Sequence, residues 1–420
     1  FHSATAVLPG GKKIDKLAHR VKEWIKSLLL GRTVFEEMGF LYLGPADGHD
    51  VKKLTYLLQE AKRLQKPVLL HVITQKGRGY LPAEKNPDKF HGIGPFDPKT
   101  GALRNLSADS FSDCFGQTLT AFAAQDPKIC AITAAMEQGT GLSEFAKRFP
   151  ERFFDVGIAE QHAVTFAAGM AAAGMVPVVA IYSSFLQRSY DQILHDVCLQ
   201  KLHVILAIDR AGLVGQDGET HQGIYDLAYL SHMPHMIVLA PKNRYELEAM
   251  LDYAYAYDGP IAIRYPRGSA YKGHADIQTP IVYGKSEVIQ EASGVAVFSC
   301  GHMMEEADRL VERLEAKQIP VTLVNVRFQS MLDTELLDRL MKTHTVFVTL
   351  EDTIMQGGYG EKLHAYLAEK NSPEQYTFIS GAIPLLSVPQ GTIPELRHHM
   401  QIDAEGLAEK IVPCYKKHLK

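Results

Sequence analysis

The sequence predicts an α/β protein made of three-layer domains, each a parallel sheet covered on both faces by helices. Three observations predict it. Short, near-continuous apolar runs alternate with segments of helical period, as strands buried on both faces do. Polar clusters follow those runs repeatedly, at the carboxyl ends where open parallel sheets bind ligands. The length of 420 residues exceeds what one core supports, so two or three domains are expected.

In a first block, residues 1–108, the apolar residues Ile14, Leu17, Val21, Ile25, Leu28 and Leu29 recur at helical spacing over 12–30. The turn Gly44-Pro45-Ala46-Asp47-Gly48-His49 precedes a helix over 51–64 and a strand over 67–74. Residues 77–106, rich in Gly, Pro, Lys and Asp, predict a long loop or linker. The second block, 109–285, alternates strands at 129–133, 176–182, 204–209, 236–239 and 261–265 with helices at 111–125, 160–173, 190–200 and 244–255. The third, 286–420, repeats the pattern with strands at 295–300, 321–326 and 346–351 and helices at 304–317 and 360–369.

Composition excludes several functions. A net charge of −4 gives no electrostatic footprint for nucleic acid. No apolar run approaches the roughly 18 residues a membrane span needs. The five cysteines are scattered without metal-ligand spacing, which predicts free thiols in a reducing, cytoplasmic setting. The chain opens on Phe1-His2-Ser3 with no initiator Met, so a partial or processed chain is expected.

The chemistry concentrates at strand ends. In Asp155-Val156-Gly157-Ile158-Ala159-Glu160-Gln161-His162, an acidic residue follows a buried strand and opens a helix of Ala and Gly. A carboxylate there is placed to hold a proton-bearing heteroatom of a ligand. Arg188, Arg210 and Arg267 each follow a strand of one sheet. Together they suit a phosphate, although each alone reads as a surface arginine paired with a local carboxylate. His221 lies in a Gly-rich loop with Asp217 four residues before it, and His91 sits in a similar, weaker setting. His195 reads as a packing or helix-surface residue, and the doublet His398-His399, without metal-like partners, as surface. Lys76-Gly77-Arg78-Gly79 after a strand resembles a phosphate cradle without being a Walker loop. Gly357-Gly358-Tyr359-Gly360 before a helix resembles an anion nest but reads as turn and packing.

Glu160-Gln161-His162, Tyr182-Ser183-Ser184-Phe185-Leu186-Gln187-Arg188, Asp209-Arg210-Ala211-Gly212 and Arg264-Tyr265-Pro266-Arg267-Gly268 together resemble the 1-deoxy-D-xylulose-5-phosphate synthase family. Gly44 to His49 and Lys76 to Tyr80 match it too, and the resemblance runs from about Phe35 to the C-terminus. It implies transketolase-type domains: a partial first domain, a pyrimidine-binding domain and a C-terminal domain. It also implies thiamine diphosphate, magnesium, the substrates pyruvate and D-glyceraldehyde 3-phosphate, and a homodimer. By resemblance Glu160 holds the aminopyrimidine, Phe185 stacks on it, and Ile158 and Met136 wall it. Lys76, Tyr80 and His91 lie toward the diphosphate and the reaction centre. Tyr182, Arg188, Arg210 and Arg267 hold the acceptor's phosphate, and His221, with Asp217, acts on substrate hydroxyls.

The family's Gly-Asp-Gly metal motif has no counterpart here, since Asp47-Gly48 and Asp217-Gly218 belong to other family motifs. No metal ligand is therefore expected in this chain. Magnesium ligands are expected in a missing N-terminal segment or on a complementing chain, and a silent partner of the enzyme is the remaining alternative.

Overall fold

The computed structural model describes residues 33–103, 109–370, 372, 374–385 and 387–418. The apolar period over 12–30 lies outside the described residues. The chain divides into two compact units, Phe1–Leu106 and Ser107–Lys420.

In the first unit, β1 (Leu41–Asp47) and β2 (Val68–Ile73) form a parallel pair joined by the helix Val51–Arg63. The turn expected at Gly44 to His49 is instead mostly strand. Cis Gly44-Pro45 is absorbed as a register shift between Leu43 and Ala46, because a proline lacking N–H is tolerated at a bulge. The long loop expected after residue 77 is ordered locally. It contains the helix Leu81–Lys85, and Tyr80, Phe90 and Phe96 pack their rings 5.4 to 6.0 Å apart.

The second unit holds two sheets. The first contains β3 (Ile129–Thr133), β4 (Phe153–Asp155), β5 (Val176–Tyr182), β6 (Ile205–Asp209), β7 (Ile237–Leu239) and β8 (Ile261–Arg264). Its order is β4-β3-β5-β6-β8-β7, parallel throughout. Helices Phe111–Ala123 and Arg244–Ala256 cover one face, and Glu160–Ala172 the other. Strands β3 and β6 are buried at every residue, which is why they read as unbroken apolar runs. The helix expected over 190–200 is broken: one turn, Tyr190–Gln192, passes into π-helix at Ile193–Cys198.

The second sheet contains β9 (Glu287–Gln290), β10 (Gly294–Cys300), β11 (Val321–Val326), β12 (His344–Ile354) and β13 (Thr377–Ile383). Its order is β13-β12-β10-β11-β9, with β9 antiparallel to β11. A fully parallel sheet was the expectation. Short β9 carries Glu287 into a polar cluster and so lacks the apolar signature of a strand.

That cluster joins the two sheets. Lys242 Nζ stands 2.5 Å from Glu287 Oε2 and 3.4 Å from Glu246 Oε1. Arg327 donates from Nε to Glu246 and from Nη2 to Glu287, each at 2.7 Å. Asn325 Nδ2 donates to Glu246 at 2.8 Å. Burial alone would raise the Glu287 pKa, but Lys242, Thr279 and Arg327 outweigh it and lower it. Two carboxylates are balanced by two cations, with no side chain in the cluster left charged and unpaired.

Asp209 ends β6, is 1% exposed, and accepts a 2.6 Å hydrogen bond from Ser112 Oγ. Burial pushes its pKa up to about 7, against the opposing pull of Ser112, Arg210 and Arg267.

Three outcomes are expected. Arg327→Met strands one buried carboxylate and costs about 3–5 kcal/mol in chemical denaturation. Arg339→Met removes an exposed pair with Glu291 and costs less than about 1 kcal/mol. For Asp209, the folded chain keeps a proton between about pH 4 and pH 7 that the unfolded chain has released. Stability therefore falls with a one-proton slope as pH rises through that window, and urea midpoints of Asp209→Asn lack that slope.

Candidate active site

Strand β4 ends at Asp155, whose Oδ1 accepts from the Ala135 and Gly157 amides at 2.8 and 2.9 Å. These bonds fix the turn that delivers Glu160 as the first residue of helix Glu160–Ala172. Ala163, Val164, Ala167 and Ala168 are the buried face, and small side chains there let the helix lie close to β5. Glu160 is 2% exposed, and its Oε2 has no hydrogen-bond partner. The guanidinium of Arg188, half-exposed, stands 3.4 Å away without a donor in line. A buried carboxylate oxygen left this way costs free energy unless a ligand donor reaches it.

Beyond Glu160, Phe185 contacts the ring of Tyr182 at 5.7 Å and that of His221 edge-on at 5.5 Å. Met136 is buried in the same apolar cluster, whereas Ile158 is exposed. Arg210 lays its guanidinium 3.9 Å from the Tyr182 ring centre. A Cβ on Gly139 would collide with the Tyr182 hydroxyl, so a larger residue there would displace that ring.

Asp217 is gripped from two sides. Its Oδ2 accepts from Arg210 Nη1 at 2.9 Å, and its Oδ1 from Arg267 Nη1 at 2.6 Å. The three arginines therefore do not share one anion in this structure: Arg210 and Arg267 converge on Asp217, and Arg188 faces Glu160. Two guanidiniums on one carboxylate leave a net positive charge, an arrangement that suits a second anion. His221, in the same loop, is half-buried and pairs through Nδ1 with Thr220 Oγ1 at 2.9 Å.

Lys76, Tyr80 and His91 belong to the first unit. Lys76 and His91 are exposed, and Tyr80 donates to the Pro98 carbonyl at 2.8 Å. In the suspected cradle, the Gly79 amide already serves the Glu84 carboxylate at 2.9 Å. His195 is a surface residue beside Asp196. His398, expected without metal-like partners, has them: Asp403 Oδ2 lies 2.8 Å from its Nδ1, and Glu405 completes the one group of metal-ligand spacing among the described residues.

Sequence reasoning missed what Gly358 to Gly360 hold. The amides of Tyr359 and Gly360 donate to Glu351 at 2.8 and 2.9 Å, so the nest is filled by a buried carboxylate of β12. It also missed Arg264, which lies in a quoted motif yet points inward and grips Asp226 with Nε and Nη2, each at 3.1 Å. No local pattern separates an inward arginine from Arg267 three residues later.

Three family models match the chain. They are 1-deoxy-D-xylulose-5-phosphate synthase over residues 2–74, the transketolase pyrimidine-binding domain over 108–272 and the transketolase C-terminal domain over 284–407. A 1-deoxy-D-xylulose-5-phosphate synthase of Lachnoclostridium phytofermentans is 48% identical over 408 residues, covering 95% of this chain and 65% of the relative. One of Clostridium tetani is 44% identical, covering 96% and 65%. The chain thus spans just under two thirds of the length of these curated relatives. Among solved structures, a chain described as a split gene transketolase, inactive beta4 tetramer, matches with a TM-score of 0.67 and 27% identity. It covers 73% of this chain and 99% of its own length. Campylobacter jejuni transketolase shares the fold at a TM-score of 0.61 and 16% identity, covering 92% of this chain and 70% of that one. The chain belongs to the 1-deoxy-D-xylulose-5-phosphate synthase family, with transketolase-type α/β domains.

Proposed function

We propose that this chain supplies the pyrimidine-binding and acceptor-binding parts of a 1-deoxy-D-xylulose-5-phosphate synthase. The reaction is a decarboxylating carboligation. Pyruvate and D-glyceraldehyde 3-phosphate give 1-deoxy-D-xylulose 5-phosphate and carbon dioxide, the entry to non-mevalonate isoprenoid, thiamine and pyridoxal synthesis. The observation that carries the reading is Glu160: a buried carboxylate oxygen without a hydrogen-bond partner at a strand end. The enzyme is proposed to act as a cytoplasmic homodimer; among the described residues no helix is long and apolar enough to cross a membrane.

Thiamine diphosphate, when bound, supplies an electron sink for decarboxylation. Glu160 Oε2 would hold a proton on a ring nitrogen of the pyrimidine, which meets its missing hydrogen bond. Phe185 offers a flat apolar face beside it, and Met136 closes the buried side. Lys76, Tyr80 and His91 are assigned to the diphosphate and reaction-centre side by family resemblance alone. Magnesium is assigned to ligands other than these residues.

Arg210 and Arg267 take the acceptor's phosphate, sharing it with or taking it in place of Asp217. Tyr182 stacks under Arg210 and keeps the guanidinium plane fixed. His221, in the loop of Asp217, exchanges a proton with the acceptor's carbonyl or hydroxyl oxygen. Arg188 is the second cation at the mouth of the site.

A second reading, that activity requires a complementing polypeptide, is favoured by the match over 99% of a split-gene transketolase chain. Assays with and without a polypeptide bearing the metal-binding segment separate the two. In a competent assembly, Glu160→Gln is expected to lower decarboxylation at least about a hundredfold with no loss in unfolding midpoint; near-normal turnover would reject the assignment. Arg267→Ala is expected to raise KM for the phosphorylated aldehyde about tenfold or more, and to leave KM for an unphosphorylated aldehyde unchanged. Equal effects on both aldehydes would remove the phosphate role.

A further inference from the structure

The loop that carries Asp217 and His221 is closed at its base by a pair of backbone bonds. Gly212 N donates to Gly223 O at 2.6 Å, and Gly223 N to Gly212 O at 2.8 Å. Its floor comes from the other sheet. Gln390 Nε2 donates to the Gln216 carbonyl at 2.9 Å, and Ile354 N to the Ile224 carbonyl at 3.1 Å. Leu213 and Ile224 are buried with Ile354, Ile383, Val388 and Leu396.

One side chain of that floor stands apart. Asp352, near the end of β12, is fully buried, and a Cβ on Gly212 would collide with its Oδ2. The same Oδ2 lies 2.7 Å from His302 Nε2, and Oδ1 lies 3.6 Å from Arg264 Nη1. Gly212 is two residues beyond Arg210, and Arg264 is three residues before Arg267. The two arms are also tied directly, because Ala211 N donates to the Tyr265 carbonyl at 3.0 Å. Asp352 therefore touches the base of each arm whose arginine grips Asp217.

Neither Asp352 oxygen has a hydrogen-bond partner in line, so the charges of its neighbours are what hold the carboxylate in that place. Burial works to raise its pKa, but His302, Arg264 and Arg397 outweigh it and hold the carboxyl well below the usual range. Arg264 is itself locked by Asp226 and by Gln329 Oε1 at 3.2 Å. An ion held between partners from both sheets is bound more strongly to its position than a neutral side chain of equal size.

We propose that Asp352, held by His302, is a positioning residue through which the C-terminal domain sets the register of the Gly212–Gly223 loop and thus the spacing of Arg210 and Arg267. The kinetic part rests on the function proposed above; the structural part does not. Displacements of about an ångström at a binding group change rates by up to about a hundredfold, so a group remote from the reacting atoms has leverage here.

Asp352→Asn keeps the volume and removes the charge. In the catalytically competent protein it is expected to raise KM for the phosphorylated acceptor about tenfold. KM for pyruvate and acceptor-free decarboxylation are expected to stay within about twofold of wild type. Hydrogen exchange at the Gly212 and Gly223 amides is expected to rise at least about fivefold, with β10 and β11 amides unchanged. His302→Gln, which leaves Asp352 in place, should give the same loop-confined pattern and serves if the first variant does not fold. Unchanged exchange at Gly212 and Gly223 in both variants would overturn the proposal, as would a uniform rise across the second sheet. If the wild-type protein proves to catalyse a different reaction, the exchange result still decides the positioning claim, and only the kinetic part falls with the function.

Discussion

The second unit depends on charges that neither of its sheets could bury alone. Glu246 and Lys242 come from the first sheet's side, and Glu287, Asn325 and Arg327 from the second. Each carboxylate is desolvated by the same packing that brings its cation within reach. Buried pairs of this kind give little net stability compared with apolar packing, yet losing one partner is costly. Their effect is on geometry: the observed docking of the two sheets is one in which these charges balance. The Gly212–Gly223 loop, whose floor comes from the second sheet's side, is positioned through that docking.

The same rule recurs at the site with a different balance. Asp217 is shared by Arg210 and Arg267, and the trio keeps an excess positive charge at a half-exposed position. Glu160 shows the opposite imbalance. Its oxygen is buried, the nearby guanidinium is half-exposed, and no donor lies in line. A site with an under-satisfied acceptor at one end and surplus cations at the other suits a ligand set combining a hydrogen-bond donor with an anion. Cross-sheet neutrality holds the fold; local imbalance leaves room for chemistry.

Most of the fold was legible because buried parallel strands leave an uninterrupted apolar trace, as at Ile129–Thr133 and Ile205–Asp209. The exceptions have separate causes. β9 was invisible since Glu287 serves a charge cluster, and the break at Ile193–Cys198 leaves helical periodicity nearly intact while changing the hydrogen bonding. Of the site, Glu160 and the arginines were legible from their places after strands. Their partners were not. Asp217 lies seven residues from Arg210 but fifty from Arg267, and Asp352 lies 140 residues beyond Gly212, so only tertiary structure brings them together. Spacing along the chain reports local geometry, and these contacts are not local.

Glu351 in its nest has one further consequence. Beyond the end of β12, the amides at a helix start are engaged by a carboxylate of the same chain. A tethered group competes at an effective concentration in the millimolar range or above. A free phosphate at ordinary cellular levels would therefore face a competitor that never diffuses away. By this self-occupancy the chain fills its own nest ahead of any free anion.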